Sequence, residues 1–213
     1  MSYFYPKQKE VTELNKWCLS IIHKVQHLLK DYFTFDIRLI GSGEKRLVAQ
    51  NENECFDLDY NLIIQRDKQD LISSPKAIKD LFTDAFNEVL NQNVKGRHKV
   101  RNSTSVLKDE IIEKDKLVFK FDVAILVKAD DDCYYKIIAD KNYNPPRYLW
   151  NKVKDSKNYL DRFSIIKQQL KDFGVFKKRY LELKNMHLSR NDQVESFSIF
   201  LETLNEFEQK LRR

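Results

Sequence analysis

The stretch Phe56-Asp57-Leu58-Asp59-Tyr60-Asn61-Leu62-Ile63-Ile64 decides how this chain is read. Polar and apolar residues alternate through its first half, and a strand sends successive side chains to opposite faces. Asp57, Asp59 and Asn61 therefore share one face, and Leu58, Tyr60 and Leu62 the other. Two carboxylates two residues apart on a half-buried strand repel each other and resist desolvation, so they need a cation or a shared proton. An oxygen-only, carboxylate-rich set suits Mg²⁺ or Mn²⁺. A later stretch, Phe119-Lys120-Phe121-Asp122-Val123-Ala124-Ile125, puts Phe119, Phe121, Val123 and Ile125 on one face and Asp122 on the opposite one. If the two strands are neighbours, three carboxylates converge. Such a set holds two metals about 3.5–4 Å apart, which clamp both oxygens of a phosphoryl transfer.

Upstream, Phe35-Asp36-Ile37-Arg38-Leu39-Ile40 alternates as a strand and runs into Gly41-Ser42-Gly43. The chain has only four glycines, so two of them in one tripeptide mark a place where backbone comes close to something. Small residues after a strand leave backbone N–H groups and a hydroxyl open to a phosphate, and Lys45 and Arg46 add positive charge. Taken alone, the tripeptide reads as a strand-ending turn. The succession of strand, Gly-Ser turn, Asp-x-Asp strand and a later solitary Asp on an apolar strand is much harder to reach by chance.

Around this centre the pattern is mixed. Val11, Leu14, Cys18, Ile21, Val25 and Leu28 form one stripe of a helix from about Lys7 to Lys30. Ser74-Pro75 opens a second helix, with the stripe Ile78, Leu81, Phe82, Ala85, Phe86, Val89 and Leu90. Residues 97–112 enter the sheet, Glu113-Lys114-Asp115-Lys116 and Asp130-Asp131-Asp132 read as hairpin turns, and Cys133 to Ala139 reads as a strand. Asn144-Pro145-Pro146 breaks the pattern, and helical periods follow near 156–171, 175–188 and 192–211. The fold class is α+β: a mixed β-sheet with flanking helices over residues 1–145, then a helical lobe over residues 146–213.

The 42% hydrophobic and 12% aromatic content excludes general disorder, and no apolar run approaches the roughly 18 residues of a membrane span. The start, Met-Ser-Tyr-Phe-Tyr-Pro-Lys, does not read as a signal peptide, and no membrane association is expected. Three cysteines without a CxxC argue against a disulfide scaffold or zinc ribbon and fit a cytoplasmic protein. Residues 151–213 carry 14 basic against 9 acidic groups and hold most of the formal +6. That lobe reads either as a solvated helix face or as one that meets a polyanion, a nucleotide or RNA.

Other features have plainer readings. His23 and His27 have a zinc-compatible spacing but no third ligand, and read as residues beside a helix stripe. Cys55 reads as a packing residue. The Lys95–Arg101 run reads either as a solvated edge or as a track for a polynucleotide acceptor. Tyr134, Tyr135, Tyr143, Tyr148 and Trp150 read first as packing and second as a platform for a base. Lys167 and Lys171, one turn apart on a helical pattern, are candidates to reach a triphosphate.

On Ile40-Gly41-Ser42, Asp57-Leu58-Asp59 and Asp122, the sequence resembles the nucleotidyltransferase superfamily typified by DNA polymerase β. The long N-terminal helix and helical C-terminal lobe look most like the branch of oligoadenylate synthases, cyclic GMP-AMP synthase and their bacterial relatives. The resemblance covers roughly residues 35–128. One departure is that 14 residues separate Ser42 from Asp57, with a polar insertion at Gln50–Glu54. The resemblance implies a Mg²⁺- or Mn²⁺-dependent enzyme that moves a nucleoside monophosphate from an NTP such as ATP to a hydroxyl of a nucleotide, an RNA end or a small molecule. Asp57, Asp59 and Asp122 would be the metal ligands and catalytic groups, with Asp122 able to accept the hydroxyl proton. Ser42 and the backbone of Gly41 and Gly43 would hold the phosphates, helped by Lys45, and the helical lobe would close the cleft. The other reading is a non-catalytic nucleotide- or RNA-binding module on the same fold.

Overall fold

The computed structural model describes residues 2–52, 54–93, 97–103, 106–113, 116–129, 133–153 and 157–212. Helix α1 (Gln8–Leu28) forms on the expected stripe: Leu14, Cys18, Ile21 and Val25 are buried, with Ile22 beside them. It ends at Leu28, the last residue of the stripe, which is exposed, while Leu29, just past the end, is buried instead. Helix α2 (Gly41–Lys45) is a single short turn that follows β2 (Phe33–Ile40) directly. Helix α3 (Pro75–Asn93) opens at the expected proline and buries Ile78, Phe82, Ala85, Phe86, Val89 and Leu90.

Helices α1 and α3 cover the apolar face of a seven-stranded sheet. Its main path runs β2, β4 (Asp57–Asp67), β7 (Lys116–Lys128), β6 (Leu107–Glu113), β5 (Arg97–Asn102). Strands β8 (Tyr134–Asp140) and β9 (Arg147–Lys152) continue from β7. Leu58, Tyr60 and Leu62 of β4 and Phe121, Val123 and Ile125 of β7 join the helix stripes in one core. Rings pack among its aliphatic side chains: Phe33 stacks on Phe82 at 5.8 Å, and Trp17 meets Phe121 edge-on at 6.1 Å. Full burial of side chains of this size contributes about 1.5–3 kcal/mol each, which fixes the face that β4 and β7 turn inward.

The chain divides into two units: residues 6–48 with 55–153, and residues 1–5, 49–54 and 154–213. The second contains α4 (Lys157–Gln169), α5 (Phe173–Ser189) and α6 (Ser196–Leu211). It also takes the two-stranded sheet of β1 (Tyr3–Phe4) and β3 (Gln50–Asn51). The polar insertion at Gln50–Glu54 is thus a strand-bearing excursion paired with the N-terminal residues. Asn185 of α5 grips β1 through both sides of its amide: Tyr3 N–H donates to Oδ1 at 2.6 Å and Nδ2–H donates to the Tyr3 carbonyl at 3.0 Å.

Three sequence expectations need adjustment. Residues Arg147–Lys152, read as part of the helical lobe, form β9 on the α/β sheet. The Pro-Pro pair precedes a returning strand, and the Trp150 indole N–H donates to the Ile72 carbonyl at 2.8 Å. The first helical period ends at Gln169 because Asp172 caps the next helix, its Oδ1 accepting from Gly174 N–H at 2.7 Å. Lys171 therefore lies between α4 and α5 and is not one helical turn from Lys167. The Asp130–Asp132 turn, the Lys114-Asp115 tip and Lys95-Gly96 lie outside the described residues.

Candidate active site

The carboxylates meet on one face because β4 and β7 run parallel and in register. Asp59 is opposite Asp122, and Asp57 is opposite Lys120. Side chains at paired positions of neighbouring strands point the same way, so Asp57, Asp59, Lys120 and Asp122 share the face away from α1 and α3. On the outer neighbours, Ile40 of β2 pairs with Asp59 and Lys108 of β6 pairs with Asp122. One row across four strands thus reads Ile40, Asp59, Asp122, Lys108. Further along, the same face turns apolar, where Ile63, Ala124 and Leu126 pack with Val106 and Tyr134.

The charges press on one another. Burial first, and then the neighbouring Asp57 and Asp122 charges, push the Asp59 carboxyl up to about 6, against the pull of Lys108 and Lys45. Asp122 is also raised, by burial, and Lys108 opposes the shift. The Lys108 ammonium stands 3.2 Å from Asp122 Oδ2, and that of Lys120 stands 4.0 Å from Asp57 Oδ2. As the side chains stand, no three His, Cys, Asp or Glu groups among the described residues gather closely enough to hold a metal ion. The donor set itself fits Mg²⁺ or Mn²⁺: hard carboxylate oxygens with an excess of negative charge that a divalent cation relieves.

The Gly-Ser turn lies against this row. Gly41 has φ +66°, and a Cβ built on it would stand 2.8 Å from Asp59 Oδ2. Only glycine tolerates both the left-handed backbone and that approach. Gly43 is small for another reason, since a Cβ there would meet Leu39 Cδ1 at 2.9 Å and Leu58 Cδ2 at 3.2 Å. Ser42 begins the turn after Gly41, and its carbonyl accepts from Leu47 N–H at 2.8 Å. Lys45, 7% exposed, folds back under the turn and donates to the Gly41 carbonyl at 3.1 Å. Its charge also pulls on Asp59, opposing the upward shift of that carboxyl.

Lys167 is exposed on α4, with its ammonium 5.5 Å from the Phe173 ring centroid. His23 and His27 are exposed on α1. Tyr135, Tyr148 and Trp150 pack against the α/β core, while Tyr143 is exposed. Sequence reading missed the two lysines that face the carboxylates. Lys120 was open to it, being two residues before Asp122 on the same strand.

No protein-family model and no curated protein matches the sequence. Solved structures do match the fold. The chain shares its fold with the bacterial proteins CdnC and DncV. Escherichia coli MS115-1 CdnC, solved with ATP, is 15% identical at a TM-score of 0.59, the match covering 98% of this chain and 62% of CdnC. In its complex with HORMA-deltaN, CdnC matches at a TM-score of 0.60, with 13% identity over 98% of this chain and 61% of CdnC. Vibrio cholerae DncV, a cyclic AMP-GMP synthase solved with the linear intermediate pppA(3′,5′)pG, is 15% identical at a TM-score of 0.55. That match covers 83% of this chain and 45% of DncV.

Proposed function

We propose that the protein is a divalent-metal-dependent nucleotidyltransferase that moves a nucleoside monophosphate from an NTP to a hydroxyl acceptor and releases pyrophosphate. The observation that carries this reading is the register of Asp59 with Asp122, two residues along the strand from Asp57, on a face bordered by the Gly-Ser turn. The shared fold with proteins solved with ATP or with a nucleotide intermediate supports it. A binding module would gain nothing from three carboxylates that repel one another.

Asp57, Asp59 and Asp122 would hold Mg²⁺ or Mn²⁺. When bound, the metal supplies positive charge to the triphosphate and to the attacking hydroxyl. Asp122 accepts the proton of that hydroxyl. Ser42 and the backbone of Gly41 and Gly43 orient the β- and γ-phosphates, so the α-phosphate stands in line with the acceptor. Lys45 steadies the turn through its hydrogen bond to the Gly41 carbonyl. A nucleotide or an RNA end is the favoured acceptor because basic residues outnumber acidic ones in residues 151–213. The odd cysteine count fits action in a reducing cytoplasm.

Incubation with each α-labelled NTP and Mg²⁺ tests the proposal. Pyrophosphate release that disappears in Asp57→Asn/Asp59→Asn supports it. The lysine-paired carboxylates favour a second reading, a nucleotide-binding module without turnover. Nucleotide binding with no pyrophosphate from any NTP, across nucleotide, RNA and small hydroxyl acceptors, would select that module.

A further inference from the structure

We infer that Lys108 and Lys120 are the site's own counter-ions, which occupy the carboxylates in the nucleotide-free protein and give way to an arriving divalent cation. This rests on the nucleotidyltransferase reading above.

The argument starts from the strand order. Lys108 stands on β6, on the side of β7 away from β4, so its 3.2 Å contact draws the Asp122 carboxylate away from Asp59. Lys120, on β7 itself, stands 4.0 Å from Asp57 Oδ2 and pairs that carboxylate more loosely. The acids share a face, yet no three of them close around a point among the described residues. The ion pairs are the physical reason. The Asp122 side chain is only 14% exposed and has the ammonium beside it, whereas the Lys108 side chain is 49% exposed. A lysine has a flexible stem and a strongly hydrated head, so Lys108 can swing into water at small cost. Asp122 is then released toward β4. Two consequences follow. A free cation must compete with the ammonium and binds weakly alone. An NTP–metal complex binds better, because its phosphates offer the displaced Lys108 new oxygens.

The test is Mn²⁺ titration of the nucleotide-free chain, followed by the electron paramagnetic resonance of unbound Mn²⁺ at neutral pH and fixed ionic strength. Lys108→Gln is expected to bind Mn²⁺ about two- to fivefold more tightly than the unaltered protein, the range a partly exposed ion pair allows. Lys120→Gln is expected to gain less, and Lys108→Arg to return to the unaltered affinity. Circular dichroism establishes that each variant is folded. Equal or weaker Mn²⁺ binding by folded Lys108→Gln would overturn the counter-ion role and leave the nucleotidyltransferase reading standing. Absence of Mn²⁺ binding in every protein, with and without an NTP, would overturn both.

Discussion

Gly41 lies so close to Asp59 that a methyl group on its Cα would stand 2.8 Å from the Asp59 Oδ2. The turn and the acid row were therefore built to touch. Gly41→Ala must strain a backbone at φ +66° and push the carboxylate aside. It is expected to cost about 1 kcal/mol or more of stability, read from thermal or urea unfolding, and to lose most pyrophosphate release. Gly43→Ala presses only on the ends of Leu39 and Leu58 and is expected to cost less. Equal stability losses for the two variants would undercut the assigned difference.

Asp59 sits largely out of water and has two like charges beside it, which together raise its carboxyl to about 6. Asp59→Asn removes a repelling charge from the row. It is expected to raise stability at neutral pH by on the order of 1 kcal/mol while abolishing turnover, the trade-off typical of functional sites. Loss of activity with loss of stability would mean that Asp59 has a structural part instead.

Lys79 is 1% exposed, donates to the Ser103 carbonyl at 3.2 Å and lies 5.9 Å from the Tyr148 ring centroid. Burial, and then the nearby Lys136, lower it to about 8. Between about pH 8 and the unfolded value of 10.5, the unfolded chain binds more protons than the folded one, so stability rises with pH across that window. Lys79→Met is expected to raise stability at pH 7 by about 1 kcal/mol and to flatten that rise. Unfolding curves at pH 7 and pH 10 check both.

His187 is held between two carboxylates, Nδ1 at 3.1 Å from Asp192 Oδ2 and Nε2 at 3.1 Å from Glu202 Oε2. These bonds, Asp192 first, raise its pKa above 6.5. Its contribution is fully present below pH 6.5 and is lost as pH climbs through the folded value. His187→Gln is expected to flatten the stability profile over that window only, and proton NMR of the imidazole reads the shift directly.

Much of this was legible in the sequence. The period of two through Asp57–Leu62 and Phe119–Ile125 named the inward and outward faces, because a half-buried strand has no other way to hide its apolar side chains. Which strands are neighbours was not legible, since parallel pairing of β4 with β7 depends on α3 and the β5–β6 hairpin between them. Lys108 escaped for a finer reason. A tight turn at Glu113–Lys116 would set Leu107 against Asp122, but the register shifts between Ile111 and Ile112, which brings Lys108 there. The same limit hid β9, whose proline-rich approach reads as the end of a sheet.

The central claim is that Asp57, Asp59 and Asp122 gather around divalent metal when nucleotide binds. Anomalous scattering from a crystal grown with Mn²⁺ and a non-hydrolysable NTP measures this most directly. The account requires a manganese peak about 2.0–2.2 Å from oxygens of both Asp59 and Asp122, with Lys108 turned away from them. A bound triphosphate neutralised by lysines, with Lys108 still on Asp122 and no manganese peak at the acids, would contradict it.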